Sequence, residues 1–159
     1  MNIRVGMGFD VHQLQPGLPL WLGGIQIPHT HGPLGHSAAD VLIHALCDAL
    51  LGAASLRDIG WHFPDTAAEY AGIRSTRLLE ATMRLLDERG WHLVNADVTV
   101  MAQQPKLSPH IESMRAMLAP ILKVDLDGIS IKATTTEKLG FTGRGEGIAA
   151  QAVVLINRD

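Results

Sequence analysis

The chain has 159 residues, 47% of them hydrophobic and 18% charged, a length that predicts one domain over residues 1–159 with an ordinary core. A formal net charge of −3 excludes a general nucleic-acid binder, which needs a basic surface to release counterions, and the small charged share points to surface buried against partner subunits. The lone Cys47 rules out an internal disulfide, no stretch approaches the roughly 18 apolar residues of a membrane span, and residues 1–6 lack the layout of a signal peptide, so a cytoplasmic setting without a membrane is expected.

Residues 3–11 read as a first strand. Residues 18–27 are apolar runs broken at Gly23-Gly24, which suits two short strands or a bulged hairpin. Residues 29–35 read as a turn-rich loop. A helix follows, with Ser37 as N-cap and Asp40 as its capping-box partner, an apolar face of Leu42, Ala45, Leu46, Ala49 and Leu50, and Gly52 near its end. Residues 57–72 read as loop. Residues 75–89 carry helical spacing with Gly90 just past the end. Val94, Ala96, Val98, Val100 and Ala102 alternate with polar positions as a half-buried strand does. Ser108-Pro109 reads as an N-cap and first helical position, and Pro120 as that helix's end. Residues 129–133 form another strand. Residues 148–156 are apolar on both faces, which marks a central or interface strand. The sum is an α/β (α+β) chain, a mixed β-sheet with helices packed on one face.

Three clusters carry chemistry. In a strand, Asp10-x-His12 presents a carboxylate and an imidazole on one side. In a helix, Asp40, His44 and Asp48 share a stripe. Asp10, His12 and His44 can therefore meet at one metal, and three protein ligands with an open fourth position is the catalytic zinc arrangement. Bland readings stand beside these: Asp40 as a cap, His44 as a core histidine, Asp48 as a partner of His44 or a solvated acid. The second cluster, residues 132–147, packs four threonines, two lysines, an arginine and several glycines together. Glycines let backbone N–H groups approach an anion, and hydroxyls and cations bind phosphate oxygens. Glu137 is out of place there unless it holds a divalent cation. The alternative is a solvated hairpin loop. The third cluster, residues 58–60 and 63–66, suits either polyol hydroxyls or plain turns.

Read together, Gly8-Phe9-Asp10-Val11-His12, Gly35-His36-Ser37, Asp40 with His44-Ala45, Asp48-Ala49-Leu50-Leu51-Gly52-Ala53, Asp58-Ile59-Gly60, Phe63-Pro64-Asp65-Thr66, Ala102-Gln103-Gln104-Pro105-Lys106 and the run from 133 to 147 resemble one family over nearly the whole chain. It is the 2-C-methyl-D-erythritol 2,4-cyclodiphosphate synthases of bacterial non-mevalonate isoprenoid synthesis. The resemblance implies a phosphorus–oxygen lyase. Its substrate is 4-diphosphocytidyl-2-C-methyl-D-erythritol 2-phosphate, and its products are the cyclic diphosphate and CMP. It implies zinc, or another divalent metal, on Asp10, His12 and His44, and magnesium or manganese on Glu137. His36 and Thr135 are expected to stabilise the transition state and Ser37 to contact phosphate. Asp58, Ile59, Gly60, Phe63, Pro64, Asp65, Thr66 and Ala67 are expected around the methylerythritol. The cytidine pocket is expected from Ala102, Gln103, Gln104, Pro105 and Lys106, with Leu107 and Ser108, and the diphosphate side from Thr134, Thr135, Thr136 and Glu137. Family members are homotrimers with active sites between subunits, and Phe141 and Arg144 are expected near a central cavity able to hold isoprenoid diphosphates. Three positions depart from the pattern: Ala38-Ala39 where the family usually has Asp before Gly or Ala, Ala67 for a frequent Asp, and Trp61 for a common basic residue.

Overall fold

The computed structural model describes residues 1–34, 39–64 and 74–159. Its centre is the long antiparallel pair of β1 (Asn2–Pro16) and β7 (Gly147–Arg158), in register from Asn2↔Arg158 to Gln13↔Gly147. On the far side of β7 lies β5 (Trp91–Met101), antiparallel to it, and β6 (Ile129–Thr134) runs parallel to β5. The short β4 (His31–Pro33) pairs with the end of β1, giving the order β4-β1-β7-β5-β6. A separate hairpin, β2 (Leu20–Leu22) and β3 (Ile25–Ile27), turns at Gly23 and Gly24, both at positive φ. The sheet is mixed, and the doubly apolar stretch near the C-terminus is its middle strand.

The helices cover one face. α1 (Val41–Ala53) lies across β1 and β7, α3 (Ser75–Asp87) packs on α1, and α4 (Ile111–Leu122) packs on α3 and β6. The single-turn α2 (Ile59–His62) and α5 (Gly140–Gly143) sit in the connections. α1 is buried all round except at Asp48 and Gly52, not along one face alone, because the sheet lies on one side and α3 on the other. It approaches β1 closely because β1 offers no Cβ there. A Cβ at Gly8 would stand 2.0 Å from the Ala45 carbonyl oxygen, and one at Gly6 2.0 Å from that of Ala49. The opposite face is open. On β1 it exposes Ile3, Val5, Met7, Phe9 and Val11, each between 44% and 67% accessible.

Several boundaries differ from the sequence expectation, each for a local reason. Ser37 lies outside the described residues, and the N-cap of α1 is Asp40, whose carboxylate accepts the Ile43 N–H. Residues 31–33 form a strand because their backbone pairs with Leu14, Gln15 and Pro16. Val94 is exposed, since a bulge between Leu93 and Asn95 turns it out of the alternation. Ser108 caps nothing with its side chain; it opens a 3-10 turn (Ser108–His110) that leads into α4. α4 continues through Pro120 for two more residues and stops at Lys123, which takes the left-handed conformation at φ 58.

Candidate metal centre and substrate cavity

β1 alternates, so Gly6, Gly8, Asp10 and His12 all face the helices. The contact of Gly8 with the Ala45 carbonyl sets the height of α1, and His44 is the neighbour of Ala45. The result is convergence. His12 Nε2 lies 2.8 Å from Asp10 Oδ2, His44 Nδ1 lies 3.3 Å from the same oxygen, and the two ring nitrogens are 3.2 Å apart. Tetrahedral ligation at zinc distances places ligand atoms about 3.3 Å from one another. Asp10 Oδ2 is enclosed, yet among the described residues it has no well-directed hydrogen bond. Three lone-pair atoms turned inward on one another are what a divalent cation resolves, so these residues fit a metal ion.

The electrostatics agree. Burial pushes the Asp10 carboxyl up, but the close approach and charge of the His12 and His44 imidazoles outweigh it and hold the group at about 2. Burial pushes His12 down, and Asp10 more than reverses that, so the imidazole titrates above its ordinary value. Both rings are steered from behind. His12 is hydrogen-bonded to the backbone of Leu34. The Nε2 of His44 is 3.1 Å from the buried Ser75 hydroxyl, which leaves Nδ1 for the cation. Ser75 was legible in the sequence only as a helix start.

The other acids of the α1 stripe do not join the cluster. Asp40 is 1% exposed and accepts three backbone N–H groups, from Gly23, Gly24 and Ile43 at 3.0, 2.8 and 3.1 Å. It ties the hairpin turn to the start of α1. Asp48 accepts the Ile59 N–H at 2.9 Å and so anchors α2; the partner of His44 on that side is Ser75. Asp58 caps α2 through the Trp61 N–H. Gly60 opens to solvent within α2, and Ile59, Phe63 and Pro64 are partly buried beside it. His36, Ser37, Asp65, Thr66 and Ala67 lie outside the described residues.

A second site forms at the other edge of the sheet. The segment from Ala102 to Ser108 and the end of β6 enclose a cavity of about 610 Å³. Gln103, Gln104, Pro105, Lys106 and Leu107 line it together with Thr134 and Thr135, and the structure adds Ala133 and His29. Thr136 is not among the lining residues: its hydroxyl donates to the Leu139 carbonyl at 2.7 Å and meets the Thr142 hydroxyl at the same distance. Glu137 is exposed at φ 55, its N–H donating to the Thr135 hydroxyl. Phe141 is 41% exposed on α5, and Arg144 follows it, paired with Glu146 at 2.6 Å. Asp10 and Ala133 stand in one row across the sheet, through Ala150 and Val100. Three strand spacings separate them, about 14 Å. Within one chain, the described residues keep the metal cluster and the cavity apart.

The model of the YgbB family matches residues 3–157. The chain belongs to the YgbB family. Within it, the 2-C-methyl-D-erythritol 2,4-cyclodiphosphate synthase of Parabacteroides distasonis is 66% identical over 158 residues, covering 99% of this chain and 98% of the relative. A solved 2C-methyl-D-erythritol-2,4-cyclodiphosphate synthase with CDP bound is 40% identical, covering 97% of this chain and all of the other, with a TM-score of 0.90. The bifunctional IspDF of Campylobacter jejuni is 45% identical with a TM-score of 0.95; the match covers 99% of this chain and 43% of that longer one. The first two of these relatives bear the name of a cyclodiphosphate synthase, in line with the resemblance carried by the motifs, and the chain is an enzyme of that kind. No helix among the described residues is long and apolar enough to cross a membrane.

Proposed function

We propose that this chain converts 4-diphosphocytidyl-2-C-methyl-D-erythritol 2-phosphate into 2-C-methyl-D-erythritol 2,4-cyclodiphosphate and CMP, in the cytoplasm. The observation that carries the reading is the inward convergence of Asp10, His12 and His44 within 3.3 Å, in a chain 66% identical to a relative of that name. An oxygen of the 2-phosphate attacks the β-phosphorus, a new P–O bond closes the ring, and the bond to the bridging oxygen breaks, so that CMP leaves with the electron pair. No water enters. Attack of one phosphate on another brings anions together, so the protein's work is neutralisation and in-line positioning.

Asp10, His12 and His44 would hold zinc or another divalent metal, which supplies Lewis-acid polarisation of a phosphoryl oxygen. Ser75 and Leu34 keep the two rings aimed. Glu137 would hold magnesium or manganese at the diphosphate. His36 and Thr135 would stabilise charge at the reacting phosphoryl group and Ser37 would contact phosphate. The methylerythritol would lie against Asp58, Ile59, Gly60, Phe63, Pro64, Asp65, Thr66 and Ala67. The nucleoside would enter the cavity behind Gln103, Gln104 and Lys106, and the diphosphate would approach Thr134, Thr135 and Thr136.

The separation of metal cluster and cavity within one chain supports a homotrimer with active sites between neighbours. The open sheet face supplies the surface: β1 and Val153 of β7 are apolar there, and β5 and β6 set Asp97 and Lys132 on it as an ion pair. Phe141 and Arg144 would stand near the cavity on the three-fold axis, where isoprenoid diphosphate would bind.

The test is phosphorus NMR of the protein with this substrate, zinc and magnesium in ¹⁸O-labelled water. The reading expects CMP and a cyclic diphosphate without label. A linear phosphate carrying ¹⁸O would instead make the protein a zinc phosphodiesterase.

A further inference from the structure

His29 lines the cavity assigned above to the nucleoside, and no motif pointed to it. Among the described residues lining that cavity it is the only aromatic ring; the rest are aliphatic, proline, amide, hydroxyl or lysine side chains and backbone. It also lines a second cavity of about 350 Å³, shared with Gln103, Gln104 and Arg144, so the imidazole stands in the partition between the two.

The ring is carried by a held backbone. The Gly17 N–H donates to the Thr30 carbonyl at 3.0 Å, and the Thr30 hydroxyl lies 2.8 Å from His31 Nδ1. Two residues on, the Gly32 Cα packs so tightly that a Cβ would meet the carbonyl oxygens of Pro19 and Leu18 at 2.2 and 2.4 Å. The His29 and His31 rings lie 5.8 Å apart, tilted by 40°. Burial and the nearby His31 both push His29 below its ordinary value, which keeps it neutral near pH 7. A neutral imidazole offers a flat π-face and carries no charge for a phosphate to seek.

Resting on the reading that a cytidine nucleotide fills this cavity, we propose that His29 is a nucleoside-binding residue that stacks against the pyrimidine and sets affinity for the base. A base needs a face partner as well as edge hydrogen bonds, and truncating an aromatic base partner weakens binding by roughly 5- to 150-fold. Backbone groups of residues 102–108 can serve the edge; among the described lining groups His29 is the aromatic one suited to the face.

The experiment measures CDP and pyrophosphate binding by calorimetry to the full-length zinc-loaded protein and to His29→Ala and His29→Phe, with melting temperature and zinc content checked for each. The inference expects His29→Ala to bind CDP about tenfold more weakly, His29→Phe to stay within about threefold of the native chain, and pyrophosphate to bind all three alike. Native-like CDP binding by a folded His29→Ala overturns it. So does an equal loss for CDP and pyrophosphate, which would place the ring at the phosphates, and so does a His29→Phe as weak as His29→Ala. If the native chain itself binds pyrophosphate but not CDP, the nucleotide reading of the cavity fails first and takes this assignment with it.

Discussion

Asp40 gives the sharpest separation between an architectural acid and a catalytic one. Its carboxylate is buried and receives N–H groups from three places: Ile43 in the first turn of α1, and Gly23 and Gly24 in the hairpin turn. Asp40→Ala leaves all three donors without that acceptor. Loss of the N-cap costs about 1 kcal/mol. The Gly23 N–H bond is buried, and orphaning it costs about 2 kcal/mol; the Gly24 N–H bond is only part-buried and its loss costs less. Burial of the carboxylate, which pushes its pKa up, offsets part of this because the alanine variant no longer buries an acid. The expected net loss is about 3 kcal/mol. Asp40→Asn keeps Oδ1 for Gly23 and Ile43 but turns an NH₂ toward the Gly24 N–H, so about half that loss is expected. The assay is urea unfolding of the metal-free protein at one fixed protomer concentration, since association would otherwise shift the midpoint. A loss below about 1 kcal/mol for Asp40→Ala, or a larger loss for asparagine than for alanine, would refute the reasoning.

Ser75→Ala removes the hydroxyl behind His44; zinc affinity should fall about 10–100-fold with the fold retained, and titration against a zinc chelator reads it. Gly8→Ala must lift α1 off β1 by about 1 Å to clear the Ala45 carbonyl, more than metal ligation tolerates, so zinc uptake should fail even where circular dichroism stays native. Gly52→Ala, in the same helix with no described residue within 4 Å of the added Cβ, should instead gain up to about 1 kcal/mol in thermal unfolding. The Asp10–His12 pair should stabilise the metal-free protein over a bounded pH window. Asp10, depressed to about 2, contributes above its unfolded value near 4 and loses that as pH falls toward 2; His12, raised, contributes below about 6.5 and loses that as pH rises through its folded value. The contribution is one shared interaction of about 1 kcal/mol once partial exposure is allowed for, and Asp10→Asn should flatten both limbs of the stability–pH curve.

The strand-then-helix logic of the metal cluster was readable because period two and period four fix which side chains share a face. Asp10 and His12 follow the first rule and His44 supplies the helical partner. For Asp40 and Asp48 the same stripe rule left the role open, and capping was the reading that held for Asp40. Periodicity says which residues align along a helix but not which backbone N–H groups wait opposite them, and both acids are taken up by such donors. The mixed sheet and its central last strand were legible from runs of apolar residues. The short β4 was not, because His31, Gly32 and Pro33 lack strand propensity and are drawn into the sheet by pairing with β1. The turn at Val94 was hidden for a similar reason: a bulge is set by pairing, while the alternation in sequence runs straight through it. Ser75 and His29 act at a distance in sequence from the groups they serve, 31 residues from His44 in the first case, and no local pattern announces that.

Zinc titrated into the metal-free protein tests the account most directly, with calorimetry for stoichiometry and elemental analysis after dialysis. The account predicts one ion per chain for the native sequence and none retained by Asp10→Ala or His44→Ala, each variant still folded. Native protein that takes up no zinc, or variants that hold it as tightly as the native chain, would contradict the role given to this cluster and the chemistry built on it.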